Sequence, residues 1–306
     1  MNHHFSYGKS LLNGCSQIFL QQHPLFGALC LLAIAISSPA LLGGALLGGF
    51  AATLAARRRG YEVADIEAGL YTYNGVLLGL LLCHRFAWSA VLPLLIIASA
   101  GASSLLLNRL IRGNRQRQWL PAFTAPFVAI SWLMITLLPT TLSPPLQAYA
   151  ATVLPALPSL LNLGEALLKG IGQVMFLGEP LAGAIVLLGL FLANRRAALW
   201  ALAGSAIGIG FALQQGWPSA STLAGLYGYN SALAALALSQ FYRNPGVPLL
   251  GIFLALPLQP GFAALYLPEL TAPFILACWL IQASQRTLKR GAEASKPGPK
   301  NCRPLP

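Results

Sequence analysis

The sequence predicts an all-α integral membrane protein of two inverted repeats, each holding five transmembrane helices and one re-entrant half-helix. Three observations predict it. Hydrophobic residues fill 56% of the 306 positions and charged residues only 8%. An average soluble domain carries roughly 25% charged residues, so here the bilayer must be the solvent. Three blocks then recur in the same order: LLNGCSQIFLQQHPLFGA (11–28) with LLKGIGQVMFLGEPLAGA (167–184), AGLYTYNGVL (68–77) with AGLYGYNSAL (224–233), and LPAFTAPFVAISWL (120–133) with LPELTAPFILACWL (267–280). Such ordered self-similarity marks a duplicated membrane fold. Finally, the basic residues segregate to one side of a consistent topology, as the positive-inside rule asks.

An apolar run needs roughly 17–25 residues to cross the hydrocarbon core. In the first repeat (1–139) spans fall near 24–37, 40–56, 69–83, 87–107 and 120–139. A linker, 140–159, leads to the second repeat (160–284), with spans near 180–194, 197–213, 222–240, 245–258 and 262–282. Span 245–258 is the weakest, being short and carrying Pro245, Pro248 and Pro257. A segment too short or too polar for a span precedes each set, at about 8–22 and 160–178, which fits a re-entrant half-helix. Residues 285–306 are basic and Pro-rich; they read as a disordered cytoplasmic tail able to touch anionic lipid.

Five is odd, so the second repeat enters the membrane upside down relative to the first. With the N-terminus inside, the clusters around Arg57, Arg112, Arg195, Arg243 and the tail are cytoplasmic, and only Arg85 and Lys169 stay outside. The net charge of +12 would suggest nucleic acid in a soluble protein. Here it marks a membrane face, and no nucleic-acid partner is expected. The repeat begins near Ser10, so the N-terminal stretch is not expected to be a cleaved signal peptide. Cys15, Cys30, Cys83, Cys278 and Cys302 are scattered without metal spacing and read as small packing residues.

Chemistry is sparse. Glu62, Asp65 and Glu67 sit beside the triple arginine 57–59 and read as solvated pairs, while Glu165, Glu179 and Glu269 lie near segment ends. No catalytic motif, phosphate loop or intramembrane charge relay is present in the sequence. An enzyme is not expected, nor a cofactor or a metal. The duplicated polar residues are Gln, Tyr, Asn and Thr, all neutral. A path lined by such groups and walled by Leu and Phe cannot repay the dehydration of an ion, but it suits a small uncharged solute that hydrogen-bonds.

Gln17 and Gln173 open the motifs Gln17-Ile18-Phe19-Leu20 and Gln173-Val174-Met175-Phe176. A spacing of three puts the amide on one helix face with Leu20 or Phe176, giving a polar edge and an apolar wall. Glutamines also bind helices together in membranes; retention in both copies favours the path. Tyr71-Thr72-Tyr73-Asn74 and Tyr227-Gly228-Tyr229-Asn230 read as structural, satisfying backbone carbonyls where helices meet. Leu77 and Leu233, three residues on, serve as path wall or as packing. In L-P-x-x-T-A-P-F, Pro121, Pro126, Pro268 and Pro273 remove backbone donors and expose carbonyls, with Thr124 and Thr271 placed to meet across the pseudo-two-fold axis. His23 and Glu179, just before Pro24 and Pro180, read as helix-start residues or as vestibule groups.

Taken together, these blocks resemble the urea transporter family of bacteria and animals, over nearly the whole chain except the tail. The resemblance implies a homotrimer in the bilayer, each subunit passing urea passively through its own flattened slot. It places Gln17 and Gln173 at the two mouths with Leu20 and Phe176 beside them. Leu77 and Leu233 face these walls, and Thr124 with Thr271 mark the central constriction. It also implies a bacterial cytoplasmic (inner) membrane location with both termini cytoplasmic. Leu20 departs from the phenylalanine common at that position in the family, making one slot less aromatic. A channel for another small neutral solute (ammonia, a short amide, water) remains an alternative, as does a non-transporting assembly subunit. The duplicated Asn-Pro-Ala of aquaporins and the interior histidine pair of ammonium channels are both absent from the sequence.

Overall fold

The computed structural model describes residues 5–117, 120–138 and 159–294. Almost all of the expected linker and the end of the tail therefore lie outside the described residues. Among those described, all regular structure is helical. The first half contains α1 (Tyr7–Gln17), α2 (Pro24–Ser37), α3 (Pro39–Arg58), α4 (Val63–Glu67), α5 (Tyr73–Arg85), α6 (Leu92–Arg117) and α7 (Ala125–Leu137). The second half runs α8 (Leu160–Gly172), a 3-10 turn (Gln173–Met175), α9 (Pro180–Ala193), α10 (Arg195–Gln214), α11 (Ser219–Leu223), α12 (Tyr229–Phe241), α13 (Gly246–Ala264) and α14 (Ala272–Ala294). Helices follow one another in the same order in both halves, and α2 to α5 match α9 to α12 in length, whereas α6 is longer than α13 and α7 shorter than α14.

Proline starts many of these helices. Pro24, Pro39, Pro126 and Pro180 sit in the first turn of α2, α3, α7 and α9, where a missing N–H costs nothing. The helices α3, α6, α10 and α13 are long and apolar enough to cross a membrane; α8 with its 3-10 turn and α9, bent by 75°, would make a fifth if they form one broken span. With the exposed leucines and phenylalanines on their outer faces, this is an integral membrane protein.

Several expected spans change shape. The long helices of segments 69–83 and 222–240 begin only at Tyr73 and Tyr229, because residues 69–72 and 224–228 form a partly buried turn instead, after α11 ends at Leu223. Likewise 120–124 and 265–271 are not helical, so α7 and α14 begin at Ala125 and Ala272. Pro126 and Pro273 thus start helices rather than kink them, while Pro121 and Pro268 lie in the non-helical segments before. The weak span 245–258 is a continuous helix of 19 residues with Pro257 and Pro260 inside it, a placement tolerated when neighbouring helices hold the backbone. Finally, α14 continues to Ala294, past the expected start of the tail.

Helix α3 packs along α5, and α10 along α12, while α2 against α9 and α7 against α14 join the two halves. The α3–α5 contact is backbone on backbone. A Cβ on Gly48 would sit 2.1 Å from the Gly75 carbonyl oxygen, and one on Gly79 would sit 1.9 Å from that of Gly44. Gly44 and Gly48 form a G-x-x-x-G pair, which lets helices approach closely in lipid. Gly204 and Gly208 on α10 approach Ser231 and Tyr227 in the same way.

Outside the packed interior, Arg115 bonds Glu62 at 3.1 Å and Asp65 at 2.9 Å, and Lys9 bonds Glu67 at 3.0 Å. The loop acids thus pair with Arg115 and Lys9 rather than with the triple arginine.

Gly48→Leu is expected to drive α3 off α5. Overpacking costs about 1–3 kcal/mol in a core that can yield. Here the obstruction is backbone, so the variant should elute as aggregate, or melt well below the parent, when purified in detergent. An unchanged melting temperature would show that this contact is not tight in the folded protein.

Candidate functional site

Two threonines from opposite halves meet inside the protein. Thr124 is the N-cap of α7 and Thr271 directly precedes α14. Their Oγ1 atoms lie 2.7 Å apart, one hydroxyl donating to the other, at 5% and 3% exposure. Neither hydroxyl turns back to a carbonyl of its own helix, so the pair does not merely repair a kink.

The segments that deliver these threonines carry matched strain. Phe123 (φ 41°) and Leu270 (φ 44°), each just before its threonine, are left-handed, a conformation costly for side chains of this size. Tyrosine and asparagine hold both in place. The Tyr73 hydroxyl donates to the Phe123 carbonyl, and the Tyr229 hydroxyl to the Leu270 carbonyl at 2.6 Å. The Asn74 oxygen accepts the Phe127 N–H at 3.1 Å, and the Asn230 oxygen accepts the Phe274 N–H at 3.2 Å. These are backbone donors in the first turns of α7 and α14, which a helix leaves unsatisfied. The structural role read for this element in the sequence is the one it plays.

Two tryptophans then cross between the halves. Trp132 Nε1 donates to the Pro268 carbonyl and Trp279 Nε1 to the Pro121 carbonyl, each at 2.8 Å. The sequence reading passed over them, although SWL and CWL stand at matching places in the third block. A tryptophan repeated next to a proline-rich segment was the available signal.

The glutamines occupy equivalent sites. Gln17 Nε2 donates to the Ala68 carbonyl at 3.2 Å and Gln173 Nε2 to the Ala224 carbonyl at 3.1 Å, leaving each amide oxygen as an acceptor. Both carbonyls belong to turns closed by Gly69 (φ 80°) and Gly225 (φ 79°), where a Cβ would lie 2.3 Å from the N atoms of Gly14 and Gly170 respectively. A pair of glycines thus locks α1, and another pair α8, against the turn that leads into α5 or α12. Beyond the glutamines, Leu20 (φ 56°) and Phe176 (φ 61°) are both left-handed and partly buried. Phe176 stacks on His84 with centroids 5.7 Å apart and meets Phe127 edge-on at 6.3 Å. His84 as a partner of Phe176 was not foreseen. Leu77 and Leu233 are buried at 0% and 1% exposure in the main apolar cluster.

The two helix-start residues part company. His23 Nδ1 accepts the Phe26 N–H at 3.2 Å and caps α2. Glu179 is exposed and makes no capping bond to α9.

The model of the family described as urea transporter matches the sequence over residues 9–286. The chain belongs to the urea transporter family. Its activity is the passive transport of urea, with no enzymatic step. Among the relatives of this family member, "Urea transporter 1" of Ovis aries is 29% identical over 291 residues, covering 88% of this chain and 75% of the relative. "Urea transporter 1" of Rattus norvegicus is 29% identical over 278 residues, covering 86% of this chain and 68% of the relative.

The matched scaffolds are not equally satisfied. Asn230 Nδ2 donates to the Leu270 carbonyl at 3.0 Å, whereas Asn74 Nδ2 is buried without a partner. Asn230→Leu is therefore expected to cost more stability than Asn74→Leu. The difference should be on the order of 1 kcal/mol, the net worth of one hydrogen bond. Thermal melts of the two purified variants would test this, and equal losses would contradict the asymmetry.

Proposed function

We propose that urea crosses each subunit along a path that passes Gln17, Leu20 and Leu77, the Thr124–Thr271 pair, then Leu233, Phe176 and Gln173. The observation that carries this reading is the buried hydroxyl pair contributed by equivalent residues of the two halves. Urea presents N–H donors and one carbonyl acceptor in a plane. Apolar walls from Leu20, Leu77, Phe176 and Leu233 accept its flat faces. The amide oxygens of Gln17 and Gln173 and the threonine hydroxyls replace the water it sheds. Those oxygens are fixed in advance by the glutamine–carbonyl bonds and the left-handed segments, so little reorganisation accompanies each passage.

The proposal extends to architecture. The repeats, 1–139 and 160–284, are taken as inverted relative to each other, each with five membrane-crossing segments and one re-entrant half-helix, α1 or α8. The 75° bend after α8 supports the re-entrant element. The one-sided distribution of arginine and lysine supports cytoplasmic termini. We assign the chain to a bacterial inner membrane as a homotrimer, one path per subunit, with residues beyond 284 as a cytoplasmic extension.

Stopped-flow light scattering on proteoliposomes tests the reading. Imposed urea gradients are expected to give fast shrink–swell transients that ignore proton and sodium gradients. Thr124→Val with Thr271→Val should slow urea flux on the order of tenfold, the rate equivalent of about 1.4 kcal/mol, while the assembled protein elutes unchanged. Undiminished flux in the double variant would remove the threonines from the path. Gradient-dependent flux would replace the channel with a carrier.

A further inference from the structure

A cavity of about 380 Å³ includes none of the residues of the proposed path in its walls. Trp217, Ser221, Tyr227, Gln259 and Glu269 are among its walls. The rings of Trp217 and Tyr227 adjoin, with centroids 4.7 Å apart. Gln259 is 2% exposed, and neither its amide nitrogen nor its amide oxygen has a hydrogen-bond partner. Buried polar groups are rarely left so, and this one lines an open volume. Glu269 has one side-chain hydrogen-bond contact, at 3.1 Å from the Tyr229 hydroxyl, whose single proton it shares with the Leu270 carbonyl. Among the described residues no basic side chain pairs with it. A carboxylate has about four acceptor sites, so most of its capacity is unused.

The first half shows what such a place can hold. Tyr61 and Tyr71 stand where the second half has Trp217 and Tyr227, again as adjoining rings, 5.0 Å apart. Asp65 stands where the second half has Ser221, and it is bonded by the guanidinium of Arg115, which also bonds Glu62. At the position of Glu269 the first half has Ala122. The first half therefore brings its own guanidinium to its acids beside the ring pair. The second half keeps the ring pair and an acid, adds a buried unpaired amide, and has a cavity at which, among the described residues, no cation pairs with that acid.

We propose that this cavity binds a small planar organic cation of the guanidinium class. The Glu269 carboxylate accepts two parallel N–H bonds, the geometry a guanidinium fork favours. The Gln259 oxygen takes a third N–H. Trp217 and Tyr227 offer π faces to the cation. The volume leaves room for an alkyl substituent, so substituted guanidines belong to the class. Urea has a similar plane but no charge, so the carboxylate discriminates against it.

The test is calorimetric titration of the full chain in detergent with guanidinium chloride at millimolar, non-denaturing concentration, ionic strength held constant with sodium chloride. Saturable binding of one guanidinium per chain is expected, with a change in tryptophan emission and no displacement by an equal concentration of urea. Glu269→Gln, which preserves shape, should weaken binding at least tenfold, and Gln259→Leu severalfold. Absence of saturable binding, displacement by urea, or wild-type affinity in a folded Glu269→Gln protein would each overturn the proposal. Should Glu269→Gln fail to fold, Gln259→Leu decides alone. Because binding is read without any flux measurement, this site stands or falls separately from the urea path.

Discussion

The structure depends on satisfying backbone groups where helices stop inside an apolar medium. Lipid offers no hydrogen bonds, so each exposed N–H or carbonyl at depth is a liability unless protein answers it. Helices α7 and α14 begin in the interior, after non-helical segments that leave carbonyls of Pro121, Phe123, Pro268 and Leu270 outside any helix. Each is taken by a side chain from elsewhere: Trp279, Tyr73, Trp132 and Tyr229. The first-turn N–H groups of Phe127 and Phe274 go to Asn74 and Asn230. Without these bonds the left-handed residues before the threonines would relax, and the two hydroxyls would have no reason to meet.

The same constraint explains what was legible in the sequence. Block repetition revealed the duplication because a buried donor must stay opposite its carbonyl in both copies, which preserves Tyr, Asn, Thr and Pro together. It pointed to Gln17, Gln173, Thr124 and Thr271, and the structure places each pair in equivalent surroundings. Helix starts were less legible. Hydropathy rises smoothly through 69–83 and 222–240, yet Gly69 and Gly225 adopt positive φ to let Gly14 and Gly170 approach, which delays α5 and α12. Apolarity reports depth; it does not report where the backbone turns. The prolines of 245–258 misled for the converse reason, since packed neighbours let a helix continue through them.

Close packing fixes which parts can vary between the copies. The Gly14–Gly69 and Gly170–Gly225 approaches and the Tyr and Asn bonds to the segments before α7 and α14 recur in both, because there the partner is backbone. Leu20 against Phe176, and Ala122 against Glu269, differ because these side chains face other side chains or open volume. The urea path and the cavity beside Trp217 thus draw on one duplicated frame, with divergence confined to what the frame does not hold.

That frame also bears on charge. An α-helix carries roughly half a positive charge at its N-terminus, and α7 and α14 direct theirs toward the same hydroxyl pair. A cation on the proposed path would meet two such ends where the threonine hydroxyls are the groups that face it. An anion would find the field favourable, but the Phe127 and Phe274 N–H groups that would bind it are already given to Asn74 and Asn230. What remains is a pair of hydroxyls able to donate and accept weakly, matched to a solute with both kinds of group and no net charge. On the proposed path, a preference for neutral solutes would follow from the same bonds that let two helices begin in mid-protein.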